Sequence, residues 1–243
     1  MTGRLVLVST PIGNLGDISI RALEILAAAD IIACEDTRTS HVLLDRYGIR
    51  TKTVAHHLHN EAQSSGRLLE DIDKGMAVAL ITDAGTPVIS DPGGRIAEMA
   101  RVRGYRVTSI PGASALLAAL AISGLSAERF FFDGFLPAKQ VQRRSRLAAL
   151  GGLDATLVFY EAPHRLAETL SDMASVFGSD RLAAVCRELT KTFEECVRGS
   201  LGELTARYPD EANVRGEIVI VVAPPREQAT SADDIEALLI SLS

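Results

Sequence analysis

Short apolar runs alternate along the chain with segments whose apolar residues recur every three or four positions. In the first half the runs are Leu5–Val8, Ile31–Cys34, Ala77–Ile81 and Val107–Ile110. Each is too short for a buried helix and is bounded by turn formers, so each predicts a buried strand. The periodic segments between them predict helices. Ser19–Ala29 carries Ile20, Leu23, Ile25 and Leu26 on one side. Arg38–Tyr47 is closed by Gly48, Asn60–Lys74 opens on an Asn-x-x-Gln cap and stops at Gly75, and Gly94–Arg103 stops at Gly104. A helix or a long loop separates each strand from the next, which favours a mostly parallel sheet covered on both faces.

Pro111-Gly112 then punctuates the chain. An alanine-rich helix is expected over Ala113–Ile122, and strands over Phe130–Phe135, Leu157–Tyr160, Ala183–Arg187, Phe193–Arg198 and Glu217–Val222. Helices are expected over 139–150, 163–177 and 200–207. Phe193–Arg198 follows Ala183–Arg187 after a gap too short for a crossover, so this half predicts a mixed sheet. The fold class is α/β, as two α/β domains over 1–111 and 112–224 with a cleft between them. After Pro224-Pro225 a tail, 225–243, is expected to hold one short helix.

The 243 residues include 25 Lys and Arg against 31 Asp and Glu, a formal charge of −6, and 47% are hydrophobic. Such a chain has the apolar area to offset ordering entropy, which excludes a disordered protein. The longest apolar stretch, Ala113–Leu125, is broken by Ser114, Ser123 and Gly124 and falls short of the roughly 20 residues that cross a bilayer. No basic region followed by a long apolar run opens the chain, so no secretory signal is expected. Cys34, Cys186 and Cys196 show no CxxC spacing. They read as buried thiols of a reducing, cytoplasmic compartment. His56, His57 and His59 lack partner spacing for a metal and read as loop or site-rim groups, so no metal is expected. Lys139, Arg143, Arg144 and Arg146 form a basic island with no acid between Pro137 and Leu153. It is either a solvated helix face or a patch that contacts phosphate.

Three loops hold more glycine and small polar residues than a connector needs. They are Ser9–Asp17, Thr82–Pro87 continuing to Ser90–Gly93, and Pro111–Ala115. All follow the carboxyl end of a strand, the edge where open α/β sheets bind ligands. Glycine lets the backbone approach a ligand, and free N–H groups at the next helix start can bind its polar parts. Several chemistries are disfavoured. Gly13-x-x-Gly16 lacks the order of a dinucleotide fingerprint, and no P-loop occurs. Gly112-Ala-Ser114-Ala-Leu116 lacks the last glycine of a nucleophile elbow. A small-molecule site built from all three loops is the reading that remains.

These loops also carry a family resemblance. Leu7–Asp17, Cys34-Glu35-Asp36-Thr37-Arg38, His59-Asn60-Glu61, Ile81–Pro87, Tyr160–Arg165 and Arg187–Lys191, in that order, closely resemble the branch of the tetrapyrrole methylase superfamily that methylates small-subunit ribosomal RNA. The resemblance runs from about residue 4 to residue 223. It implies a homodimer of two-domain α/β chains with S-adenosylmethionine in the interdomain cleft. The implied reaction is methyl transfer to the ribose 2′-oxygen of a cytidine in 16S rRNA of the small ribosomal subunit. By position in the motifs it implies cofactor contacts at Pro11, Ala84, Gly85, Thr86, Ser114, Ala115, Glu161, Leu189, Gly216, Glu217 and Ile218.

A ribose hydroxyl is a poor nucleophile, so alignment with the methyl group and removal of its proton are the two demands on the protein. Glu161, Glu35, Asp36, His164, Glu188 and Lys191 are candidates for the base, with Glu161, Glu188 and Lys191 carried forward as catalytic. A lysine would need its pKa lowered to serve. Arg38, Arg165 and Arg187 suit phosphate contacts or ion pairs at a dimer edge, with Arg38 and Arg165 carried forward for RNA, and the resemblance favours RNA contact along Lys139, Arg143, Arg144 and Arg146. That branch commonly continues in a lysine-containing helical segment, whereas Asp233–Ile240 is acidic, so either the chain is cut short or its substrate contacts there are reduced. The rival readings are a tetrapyrrole C-methyltransferase and a non-catalytic module that binds S-adenosylmethionine.

Overall fold

The computed structural model describes residues 3–209 and 214–225. The expected tail helix lies outside the described residues. Two five-stranded sheets follow one another along the chain. The first contains β1 (Arg4–Val8), β2 (Ile31–Cys34), β3 (Thr53–Ala55), β4 (Ala77–Leu80) and β5 (Arg106–Ile110), in the order β3-β2-β4-β1-β5. All four pairings are parallel. Helices α1 (Ile20–Ala28), α2 (Thr37–Arg46), α3 (Glu61–Asp73) and α4 (Gly94–Val102) make the crossovers. Apolar clusters fill both sides of this sheet, one around Val6, Leu26 and Ile32, the other around Leu5, Leu69 and Ile96. Each such side chain contributes about 1.5–3 kcal/mol by leaving water.

The second sheet contains β6 (Phe130–Phe135), β7 (Thr156–Glu161), β8 (Leu182–Arg187), β9 (Glu195–Ser200) and β10 (Ile218–Val222), in the order β6-β7-β10-β8-β9. Only β6 and β7 run parallel; the other three pairings are antiparallel, so the sheet is mixed. Helices α6 (Gln140–Leu150), α7 (Leu166–Phe177) and α8 (Leu201–Arg207) accompany a core that includes Phe159, Leu170 and Ile220. Helix α5 (Ala115–Ile122) lies with a separate cluster that includes Val158, Cys186 and Val219. Ile12, from the loop after β1, packs into that same cluster and ties the first sheet's loop to the second sheet.

Four local expectations need correction. Strand β3 was not expected, because its three residues Thr53-Val54-Ala55 are too few to show a period, and only pairing with β2 extends them. Strand β9 begins at Glu195 rather than Phe193, whose side chain stays 73% exposed. Helix α5 begins at Ala115, because the Ser114 hydroxyl caps it through the Leu117 N–H. Asn60 does not cap α3 with its side chain. Its carboxamide accepts from the His57 N–H at 2.9 Å and donates to the Ala55 carbonyl at 3.1 Å, closing the turn before the helix. Of the cysteines, Cys34 and Cys186 are buried and Cys196 is half-buried, with the Cys186 and Cys196 sulfurs 3.3 Å apart across β8 and β9.

Candidate functional site

Three loops meet where the first sheet ends. Thr10 and Gly85 exchange backbone hydrogen bonds at 2.8 and 3.1 Å. The Thr10 hydroxyl donates to the Thr82 carbonyl at 3.0 Å. The hydroxyls of Ser9 and Thr86 are 3.0 Å apart, and Thr86 donates onward to the Ala113 carbonyl at 3.3 Å. The three glycine-bearing loops are thus stitched to one another before any ligand is considered. Gly85 holds φ at +90°, a region open to glycine and costly for other residues.

Beside this stitched edge lies a cavity of about 400 Å³, within the range of small-molecule sites. Its walls include Ala84, Gly85, Thr86, Ser114, Ala115, Glu161, Leu189, Gly216, Glu217 and Ile218, from loops that follow the first sheet's strands and from strands and loops of the second. The structure therefore gathers ten of the eleven expected cofactor residues. The eleventh, Pro11, lines a second cavity of about 280 Å³ alongside, bordered also by Thr10, Thr39, Val42 and Lys191. Aromatic rings complete the larger cavity. Tyr160 packs edge-on against Phe132 and Phe135, and Tyr160 and Phe135 face the cavity. Gly216 adopts φ +92°, and a Cβ there would collide with the Glu188 carboxyl.

The candidate bases sit in very different surroundings. Glu161 is 2% exposed. Its Oε2 accepts the Thr169 hydroxyl at 2.6 Å, its Oε1 accepts the Ala162 N–H at 2.8 Å, and Arg165 Nε lies 3.3 Å away. With both oxygens engaged, Glu161 is a fixed wall of the cavity. Lys191 donates to Glu188 at 2.7 Å and to Glu217 at 2.9 Å. Burial pulls the ammonium pKa down, but these two carboxylates outweigh it and raise it above that of an ordinary lysine. Lys191 as a base is therefore corrected: its surroundings hold the proton on. Glu188 is corrected with it, because the Lys191 ammonium holds its carboxyl below the usual range and occupies Oε1.

The structure adds ionisable groups that the sequence did not single out. Asp83 and Asp91 both line the larger cavity. Burial pushes the Asp91 carboxyl up to about 6; the Thr82 hydroxyl opposes the shift, and the charges of Glu35 and Asp83 add to it. Loss of solvent also raises Asp83, against a hydrogen bond from the Asp36 N–H at 3.1 Å and with help from the Asp36 charge. Both stand in the Thr82–Gly93 loop noticed for its glycines, so the signal lay in acids beside glycine at a strand's carboxyl end. Glu35 accepts from Thr82 at 3.3 Å, and Asp36 caps α2 while pairing with Arg38. His164 lies in the 3-10 turn Pro163–Arg165 just beyond the cavity wall.

The basic island divides on folding. Arg143 is fully buried, with Nε 2.6 Å from Asp172 Oδ2 and Nη2 3.1 Å from Glu168. It cannot reach RNA, and that expectation is corrected: an arginine facing the α7 carboxylates is drawn inward by charge pairing. Arg165 is corrected likewise, since its Nη2 donates to the Leu136 carbonyl at 2.8 Å while its Nε faces Glu161. Arg144 pairs with Asp172 and Arg146 with Asp133, yet both keep nearly half of their side chains in solvent. Lys139 and Arg38 are exposed as well. Among the described residues no cluster of His, Cys, Asp or Glu is placed to hold a metal, and no helix is long and apolar enough to cross a membrane.

Comparison with known proteins matches residues 4–205 to the family of Tetrapyrrole (Corrin/Porphyrin) Methylases. A Ribosomal RNA small subunit methyltransferase I of Mesorhizobium japonicum is 54% identical over 239 residues, 98% of this chain and 81% of that protein. The chain belongs to the ribosomal RNA small subunit methyltransferase I family. A second member of that family, from Pseudomonas aeruginosa, is 48% identical over 246 residues, 99% of this chain and 87% of that protein. More distant solved structures share the fold. A uroporphyrin-III-C-methyltransferase from Thermus thermophilus superposes with a TM-score of 0.65 at 20% identity, covering 99% of this chain and 98% of that one. A diphthine synthase gives 0.70 at 18% identity, covering 90% and 89%. Membership in the ribosomal RNA small subunit methyltransferase I family makes this chain a methyltransferase and calls for a methyl donor. The larger cavity combines apolar walls at Leu189, Ile218 and Phe135 with polar groups at its rim, a lining suited to a small organic molecule.

Proposed function

We propose that this protein methylates the ribose 2′-oxygen of a cytidine in 16S rRNA of the small ribosomal subunit, using S-adenosylmethionine. The observation that carries the reading is the 54% identity to a Ribosomal RNA small subunit methyltransferase I along 98% of the chain. The tetrapyrrole acceptor is a distant relationship by comparison, at 20% identity. S-adenosylmethionine brings a methyl group already activated on sulfur. The chain's own share is to hold it: the Gly85 and Gly216 turns admit close backbone approach, Ser114 and Ala115 border it from α5, and Glu161 keeps the β7 end rigid.

In this reading the protein acts in the cytoplasm as a homodimer. Its two sheets with their helices serve as two domains, 1–111 and 112–224, that enclose the donor. Leu117 and Ile122, exposed on α5, offer apolar surface to a second copy. Arg38, Lys139, Arg144 and Arg146 are the basic groups available to rRNA phosphates, whose field adds affinity without reading sequence. The test is mass spectrometry of 16S rRNA from a deletion strain and from the same strain carrying the gene. Loss and return of one ribose-methylated cytidine is expected, and an unchanged methylation pattern would sink the reading.

A further inference from the structure

The larger and smaller cavities share a wall made of Ile12, Asp83, Ala84 and Glu217. The larger gathers all the expected donor contacts except Pro11, which leaves the smaller for the molecule that receives the methyl group. Transfer between two bound molecules requires their reacting atoms about 3–3.5 Å apart, so the chemistry is confined to the shared wall. Two residues of that wall ionise. Glu217 is hydrogen-bonded to Lys191 at 2.9 Å. Asp83 pairs with no cation among the described residues, and its Oδ1 takes the Asp36 N–H at 3.1 Å while Oδ2 takes no hydrogen bond from them. We propose that the smaller cavity, between the loop after β1 and helix α2, receives the acceptor ribose, and that Asp83 takes up its 2′-hydroxyl proton.

This inference rests on the rRNA reading above and adds to it the side from which the substrate strand enters and the group that takes the proton. The charges facing Asp83 favour proton uptake. Asp36, from the loop after β2, and Asp91, further along Asp83's own loop, are both carboxylates, and the Lys191 ammonium, from the loop between β8 and β9, is spent on Glu188 and Glu217. The other carboxylates of the larger cavity fit the role less well. Glu161 has both oxygens occupied, and Asp91 does not border the smaller cavity. In the step, the ribose oxygen forms its new bond to the methyl carbon, and the pair of the broken carbon–sulfur bond remains on sulfur. The hydroxyl proton passes to the Asp83 carboxylate and from there to water.

The experiment is single-turnover methyl transfer to small subunits that lack the modification, from about pH 5 to 9. It compares wild type, Asp83→Asn and Thr39→Trp, with donor affinity measured by calorimetry and folding by melting temperature. Wild type is expected to gain rate with pH along one acid limb. Asp83→Asn should bind the donor within about twofold of wild type, transfer at least about 100-fold more slowly, and lose the limb. Thr39→Trp fills the smaller cavity from α2, and should raise the half-saturating subunit concentration about 10-fold with donor affinity unchanged. Transfer by Asp83→Asn within about threefold of wild type overturns the proposal, as does an unchanged half-saturation in Thr39→Trp. If Asp83→Asn does not fold, the wild-type profile and Thr39→Trp decide, and a flat profile overturns it. Wild type that binds the donor yet methylates no small subunit overturns the rRNA reading, and this inference falls with it.

Discussion

Asp91 carries a carboxyl pushed up to about 6 by burial, beside Glu35 and Asp83. Because the folded pKa lies above the unfolded one, the fold favours the protonated form. The cost appears as pH rises through about 4 to 6 and is complete above that window. Asp91→Asn should therefore stabilise the protein by about 1–2 kcal/mol at pH 8, a figure reduced for partial solvent screening, and the gain should vanish at about pH 3.5. Urea unfolding at the two values checks this; an equal gain at both would mean the charge is not the cause. Glu161 makes the opposite case. Glu161→Ala leaves Arg165 without its counter-ion and the Thr169 hydroxyl without its acceptor and should cost about 2–4 kcal/mol, whereas Glu161→Gln keeps an acceptor for Thr169 and should cost less. Equal losses in the two variants would contradict that account. None of this was legible in the sequence, where Asp91 and Glu161 are acids in loop motifs: burial and the Glu35 charge act on Asp91, and Thr169 and Arg165 meet Glu161, only once the chain has folded.

Helix α6 shows how an element redistributes what a sequence groups together. Lys139 to Arg146 reads as one basic island, but a helix on a sheet has an inner face, and Asp172 of α7 waits there. Arg143→Ala removes one partner of a buried pair and should destabilise the protein by about 3–5 kcal/mol in urea. Lys139→Ala should leave stability within about 0.5 kcal/mol and instead weaken small-subunit binding, lowering its salt dependence by about one phosphate contact. Comparable destabilisation by both variants would contradict this division of the island. The strands themselves were largely legible, because buried runs such as Ile31–Cys34 and Ile218–Val222 carry their own signal. What the sequence hid were elements fixed by partners: β3, extended by β2, and the start of β9, set by its register with β8.

At the scale of the whole molecule, a parallel sheet and a mixed sheet place loops from residues 12, 84, 114, 161, 189 and 216 around one cavity. The parallel order followed from the crossovers, and the mixed order from one short gap. The convergence of those loops had two sources in the sequence: three glycine-bearing turns on strand ends, and a motif resemblance for the rest. The second cavity alongside had no such signal, because Thr39 and Val42 of α2 reach it only once the helix has packed. Gly85 is where the site depends most directly on backbone shape. Gly85→Ala at φ +90° should cost about 1–2 kcal/mol and weaken donor binding about 10-fold, measured by unfolding and by calorimetry. Wild-type donor affinity in that variant would show that the turn does not shape the cavity.

The most direct measurement is made on purified components. Unmodified small subunits are incubated with the protein and S-adenosylmethionine, and the digested rRNA is read by mass spectrometry for methylated nucleosides. The account predicts close to one 2′-O-methylcytidine gained per subunit, with S-adenosylhomocysteine released in equal amount. A methyl group found on a base, or none gained while the donor binds, would contradict it.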